Sequence, residues 1–267
     1  MDAFFSNTNT TDKENSSSMS LYSITYLKEG QKLQQDFEFQ IKVDLPQTTK
    51  HLKLTIEKDQ DEIANAMTDE NLGPTKTKTR TSTKTVNSKY SAGVNYLLNS
   101  STNYSSMVKF GLRIDMPLNP SIKYRIEKNI DFKLIDLNLS QDFILYRQEG
   151  ISEVSSLTLS REWNDSIKTD LVNNLAWSDS TDYFQLRNNF LFYKNLGDEK
   201  TLTYSAAANA RLSPIFNYES YDTSLSYRQK IIGNWIYFAL SVGSEFLKEN
   251  HFNMENFIQL RFELFLK

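Results

Sequence analysis

The two runs that close the chain alternate apolar and polar residues with a period of two. The last one sets Ile258, Leu260, Phe262, Leu264 and Leu266 against Gln259, Arg261 and Glu263. The one before it sets Ile236, Phe238, Leu240 and Val242 against Tyr237, Ala239, Ser241, Gly243 and Glu245. Successive side chains of a strand point to opposite faces, so this period predicts strands with one greasy and one polar face. Together the runs predict a long antiparallel hairpin turning between Glu249 and Asn253.

The same period recurs through most of the chain. SLYSITYL groups Tyr22, Ile24 and Tyr26, and DFEFQIKVDL sets Phe37, Phe39, Ile41, Val43 and Leu45 against Glu38, Gln40, Lys42 and Asp44. A third run from His51 to Lys58 carries Leu52, Leu54 and Ile56 on its apolar side. From Ser88 the pattern is regular, with Tyr90, Ala92 and Val94 in one run, and Phe110, Leu112 and Ile114 opposed by Lys109 and Arg113 in the next. Counting along the chain gives about 14 runs, or about 12 if the first pair is not embedded. Residues 1–18 are polar, rich in Ser, Thr and Asn, and read as a flexible tail. The body is then 19–267, interrupted by one long loop at 59–87 whose first half is acidic and whose second half, TKTKTRTSTKT, alternates threonine with cations.

Composition narrows the class. No window approaches the roughly 18 consecutive apolar residues of a membrane helix, so a helical membrane protein is excluded. A mean hydropathy of -0.52 does not separate soluble from membrane β proteins, because a barrel with one lipid-facing and one polar face averages to a hydrophilic value. The chain has no cysteine, which removes disulfides, thiolate catalysis and cysteine metal sites. A net charge of -3 gives no reason to expect nucleic acid as a partner.

Strand length separates a barrel from a sandwich. Globular strands average about 5–6 residues, whereas tilted membrane-spanning strands need about 9–11, and most runs here have the longer length. They follow one another through short turns, which suits an up-and-down transmembrane barrel of about 12–14 strands. Energetics then assign the faces. A cation facing lipid at mid-bilayer costs about 2–4 kcal/mol, so Arg113, Arg125, Arg187, Arg211, Arg228 and Arg261 are expected to line the lumen, with Glu245 and Glu263 on the same parity. Trp163, Trp177 and Trp235 fall near run ends, as interfacial belts require. Gln141, Asn173 and Asn188 do not fit: they sit on the lipid-facing parity near mid-strand, so either bulges shift the register there or those strands extend beyond the membrane.

The segments NWIYFALSVGSEFLKENHFNMENFIQLRFELFL and DFEFQIKVDLPQTTKHLKLTIE resemble an uncharacterised family of proteobacterial outer-membrane β-barrel proteins of similar length. That resemblance implies a Gram-negative outer-membrane location and no catalytic motif. The last strand also resembles the signal read by the barrel-assembly machinery, although Leu266 stands where an aromatic residue is usual and Lys267 follows it. A barrel is exported, so the sequence reads as a mature chain whose initiator Met replaces a removed signal.

Candidate chemistry is sparse. Catalysis at a barrel rim needs a base beside a nucleophile, and the only histidines, His51 and His251, are expected at opposite ends of the barrel. Asp59, Asp61 and Glu62 crowd carboxylates without the glycine turn of a calcium loop and read as a solvated acidic segment. No cofactor or metal is expected, and the chain reads as non-enzymatic. Lumen positions interleave both signs, which suits cross-strand ion pairs bracing a crowded interior; a narrow pore for small polar solutes is the functional reading, against a non-conducting envelope barrel or a soluble periplasmic β protein. If TKTKTRTSTKT continues the Tyr90 strand without a bulge, Lys76, Lys78, Arg80 and Lys84 share the parity of Tyr90 and Ala92 and would project outward above the apolar band toward lipopolysaccharide phosphates; the other reading is a solvated basic strand, or one paired with the acidic half of the same loop.

Overall fold

The computed structural model describes residues 17–44, 52–59, 89–114, 118–181, 183–212, 215–233 and 235–266. These form fourteen strands: β1 (Ser18–Lys28), β2 (Gln34–Asp44), β3 (Leu52–Asp59), β4 (Lys89–Ser100), β5 (Tyr104–Ile114), β6 (Asn119–Asp131), β7 (Asp136–Tyr146), β8 (Gly150–Asn164), β9 (Ile167–Ser178), β10 (Gln185–Gly197), β11 (Lys200–Arg211), β12 (Asn217–Ile232), β13 (Ile236–Leu247) and β14 (Met254–Leu266). Each pairs antiparallel with its sequence neighbours, and β1 pairs with β14 through Tyr22–Glu263 and Ile24–Arg261, so the sheet closes into a barrel. Closure removes every free edge, which is how a sheet can satisfy its backbone groups without water.

The alternation sorts cleanly onto the two faces of the wall. On β14 the outward residues Ile258 and Phe262 are 52% and 45% exposed, while Phe257, Gln259 and Glu263 between them are buried. The expected hairpin turn is a short 3-10 segment, Lys248–Asn250, followed by His251 and Phe252 in the left-handed region at φ 56° and 58°. Trp163 and Trp235 lie at the end of the barrel where β1 starts and β14 ends, and Trp177 at the far end, as the strand directions require.

One face runs against the sequence expectation. Tyr22, Ile24 and Tyr26 point into the barrel, in register with Glu263, Arg261 and Gln259, and Ile24 is 3% exposed. The outward face of β1 is Met19, Leu21, Ser23, Thr25 and Leu27. Both faces of this strand are largely apolar, so its own alternation carries little sign, and the register with β14 decides the orientation.

The strands' register also resolves the misfit residues. Pairing runs without interruption through Gln141, Asn173 and Asn188, and the irregularities nearby fall at Glu162/Asn164 and Asn195/Gly197 instead. No bulge turns these residues inward. Leu139 and Phe143 flank Gln141, and Leu171 and Leu175 flank Asn173, so the polar positions lie inside the apolar band and not beyond it.

Candidate functional site

The barrel interior holds two ion clusters on the wall of β12, β13, β14 and β1. In the first, register pairs Asp222 with Glu245 and Glu245 with Glu255, which sets three carboxylates side by side on adjacent strands. Like charges directly opposite destabilise a sheet, and two cations compensate. Arg187 reaches over from β10, with Nη2 donating to Asp222 Oδ1 at 3.0 Å and Oδ2 at 3.2 Å and Nη1 to Asn209 Oδ1 at 3.1 Å. Lys28 Nζ lies 2.6 Å from both Glu245 Oε2 and Glu255 Oε2. Arg187 is 2% exposed and Lys28 5%. The Tyr26 hydroxyl donates to Glu245 at 3.5 Å.

The second cluster lies nearer the chain termini and inverts the arrangement. Arg228 and Arg261 both pair with Ala239 from either side, so two guanidinium groups project from strands separated by β13. Glu263, 2% exposed, serves both: Arg228 donates through Nε at 3.0 Å and Nη2 at 2.7 Å, and Arg261 through Nη2. The Arg228 guanidinium stands 4.0 Å from the Tyr237 ring and that of Arg261 5.9 Å from the Tyr22 ring, both within cation–π range. Phe265 then meets both tyrosines edge-on, at 6.0 Å and 5.7 Å between centroids.

Further pairs line the rest of the interior. Arg125 grips Asp142 with two bonds of 2.6 Å, and Lys123 adds a contact at 3.1 Å. Lys109 holds Glu57 at 2.6 Å, and Gln40 donates to the same carboxylate at 2.8 Å. Arg113 pairs with Glu149 and lies 4.6 Å from the Tyr146 ring, while Arg211 pairs with Glu219 and lies 4.8 Å from the Tyr183 ring.

All eight ionic residues singled out from the sequence therefore sit in ion pairs. What the sequence reading missed is their partners: Lys28, Asp142, Glu149, Glu219, Asp222 and Glu255. Parity alone marks Asp142, Asp222 and Glu255 as inward, but partner choice depends on register. Lys28 escaped notice because it shares a face with Tyr22, Ile24 and Tyr26. Lys76, Lys78, Arg80 and Lys84, together with Asp61, Glu62 and His51, lie outside the described residues. His251 sits in the connection between β13 and β14 at the far end.

Among the described residues, the ion pairs between strands join neighbours or next-nearest neighbours, as with Arg125 and Asp142 or Lys28 and Glu245. The long side chains consequently lie along the wall. Gly243 lies directly against Phe257: a Cβ there would come within 2.6 Å of Phe257 Cζ and 2.4 Å of the Thr223 carbonyl oxygen, so the glycine makes room for that ring on the inner face.

No family model matches the chain, and no curated protein matches it in sequence. Solved structures do share its fold. A loop-deleted form of OmpT, an outer-membrane protein of Vibrio cholerae, superposes with a TM-score of 0.57 at 9% identity, over 95% of this chain and 99% of that one. The outer-membrane channel DcaP of Acinetobacter baumannii superposes with a TM-score of 0.54 at 6% identity, over 95% and 97%. The chain has the porin-like fold of bacterial outer-membrane β-barrels. At such identities the likeness is one of fold.

Proposed function

We propose that this chain is an integral outer-membrane β-barrel, non-enzymatic, that forms a narrow pore for small polar solutes. The observation that carries the reading is the course of the ion pairs between strands among the described residues, which join neighbouring or next-nearest strands along the wall. Barrel width supports it. Eight strands leave room only for their own side chains or one small ligand, 16–18 leave an aqueous channel, and diameter grows roughly linearly between them. Fourteen strands fall in that interval, which favours a passage narrower than that of the larger porins. The solved channel of like fold agrees with this reading.

A non-conducting envelope barrel is the second reading, favoured by the Phe257 ring seated on Gly243 and by the deeply buried Ser205, Ser224 and Ser241 on the same wall. Planar-bilayer recording of the refolded chain separates the two: discrete openings support the pore, and persistent silence supports the closed barrel. We further propose that Lys76, Lys78, Arg80 and Lys84 engage lipopolysaccharide phosphates and that the barrel-assembly machinery inserts the chain. Reversing those four charges is expected to lower the lipopolysaccharide retained on purification, and unchanged retention would remove that contact.

A further inference from the structure

The outer face of β7 to β10 carries a cluster of carboxamides with Glu153, on a wall that is otherwise mostly apolar. Gln141 Nε2 donates to Glu153 at 2.7 Å, Ser155 Oγ donates to Gln141 Oε1 at 2.7 Å, and Asn188 Nδ2 donates to Asn173 Oδ1 at 2.5 Å. All five residues share the parity of Leu139, Phe143, Leu171 and Phe190, which are exposed. An open depression of about 350 Å³ lies among them, lined by Leu139, Gln141, Ser155, Leu157, Asn173 and Leu175. Among the described residues, the Asn173 amide nitrogen and the Asn188 amide oxygen have no further partner. Beside this cluster, β11 offers Ala206 and Ala208 in register with Phe190 and Asn188, so a second wall can come close.

Polar groups within a membrane span are ordinarily satisfied by protein, because hydrocarbon offers no hydrogen bonds. We infer that this face is an interface with a second copy of this chain, related by a two-fold axis along the membrane normal. Two barrels inserted in the same direction meet at equal heights. A carboxamide both donates and accepts, so Gln141, Asn173 and Asn188 can each face their own counterparts. A head-to-tail ring would instead need a second polar face at the same height. Elsewhere on the described outer face carboxamides occur singly and close to strand ends, at Gln35, Asn99, Asn164, Gln229 and Asn256. The inference rests on the membrane-spanning part of the proposed function and not on conduction, since a dimer forms whether or not the lumen is open.

The absence of cysteine makes the test direct. Single variants Asn173→Cys and Asn188→Cys, with Leu260→Cys on the far wall as control, are oxidised in outer-membrane fractions of cells producing the full chain. The interface predicts disulfide-linked dimers several-fold more abundant for the two asparagine positions than for the control. The purified protein should scatter light as twice the 31.0 kDa chain. The triple variant Gln141→Leu, Asn173→Leu, Asn188→Leu should shift it toward monomer while keeping heat-modifiable gel mobility. If that variant does not fold, the single-cysteine series still decides. Equal cross-linking from Leu260→Cys, no cross-linking at either asparagine, a trimer mass, or a complex with a different polypeptide would each overturn the proposal.

Discussion

The two ion clusters on the wall of β12 to β1 are built from the same residue types in opposite proportion. Toward the far end, two cations serve three carboxylates: Arg187 and Lys28 among Asp222, Glu245 and Glu255. Toward the chain termini, Arg228 and Arg261 share Glu263. Among the ion pairs of this wall, carboxylates outnumber cations in one cluster, and one carboxylate is shared by two cations in the other. Interleaved signs along a strand therefore do not determine which charges pair. Register decides which charges meet, and it sorts these pairs into two clusters of different make-up at two levels of the wall.

The largest effect expected from breaking this contrast is at Arg187. Removing its partner with Asp222→Ala leaves a cation that is buried and held otherwise only by Asn209, and breaking a buried pair by deleting one member costs about 3–5 kcal/mol. Equilibrium unfolding in urea, followed by tryptophan fluorescence of the vesicle-inserted protein, checks it. A loss below about 1 kcal/mol would mean that Arg187 is solvated as an exposed pair is.

Next come the two shared residues. Glu263→Gln leaves Arg228 and Arg261 without their common carboxylate, and Lys28→Met leaves Glu245 and Glu255 without their common cation. The first variant should move the reversal potential of an open barrel in a salt gradient toward anion preference and the second toward cation preference. Shifts of the same sign would show that the two clusters do not act separately on passing ions.

A smaller effect is expected from Tyr237→Leu, which removes the ring beneath Arg228. The cation–π contact should account for about 0.5–2 kcal/mol of the loss, with the hydroxyl contact to Glu199 separated by the Tyr237→Phe variant, read by the same unfolding assay.

The smallest concerns the turn between β10 and β11. The hydrogen bond from Lys230, with a further one from Tyr237, holds the Glu199 carboxyl below its usual range. A lowered folded-state value contributes stability above the unfolded value and loses it as pH falls through the folded one. The contribution of this turn should therefore fade below the ordinary carboxylate value near 4.5. Glu199→Gln should remove that part of the acid dependence and change nothing at neutral pH beyond a small loss from an exposed pair.

The fold was legible because the alternation is strong where it matters. Ile258 to Leu266 and Phe37 to Val43 each carry charged residues on one face only, so period and polarity point the same way. In β1 they diverge: with apolar residues on both faces, no rule of parity turns Tyr22, Ile24 and Tyr26 inward, and Lys28 goes unnoticed with them. The ion clusters were half legible. Arg187, Arg228, Glu245 and Glu263 follow from the cost of placing charge in lipid, but that Glu245 stands beside Asp222 and Glu255 is a property of strand stagger, which no single strand encodes. Gln141, Asn173 and Asn188 were visible as exceptions to parity, and the uninterrupted ladder around them shows that the exception belongs to the outer surface.

Single-channel recording in planar bilayers bears most directly on the proposed pore. The account predicts discrete openings from the refolded wild-type chain, with reversal potentials displaced in opposite directions by Glu263→Gln and Lys28→Met. Folded barrels that stay electrically silent across the voltage range, wild type and both variants alike, would contradict it.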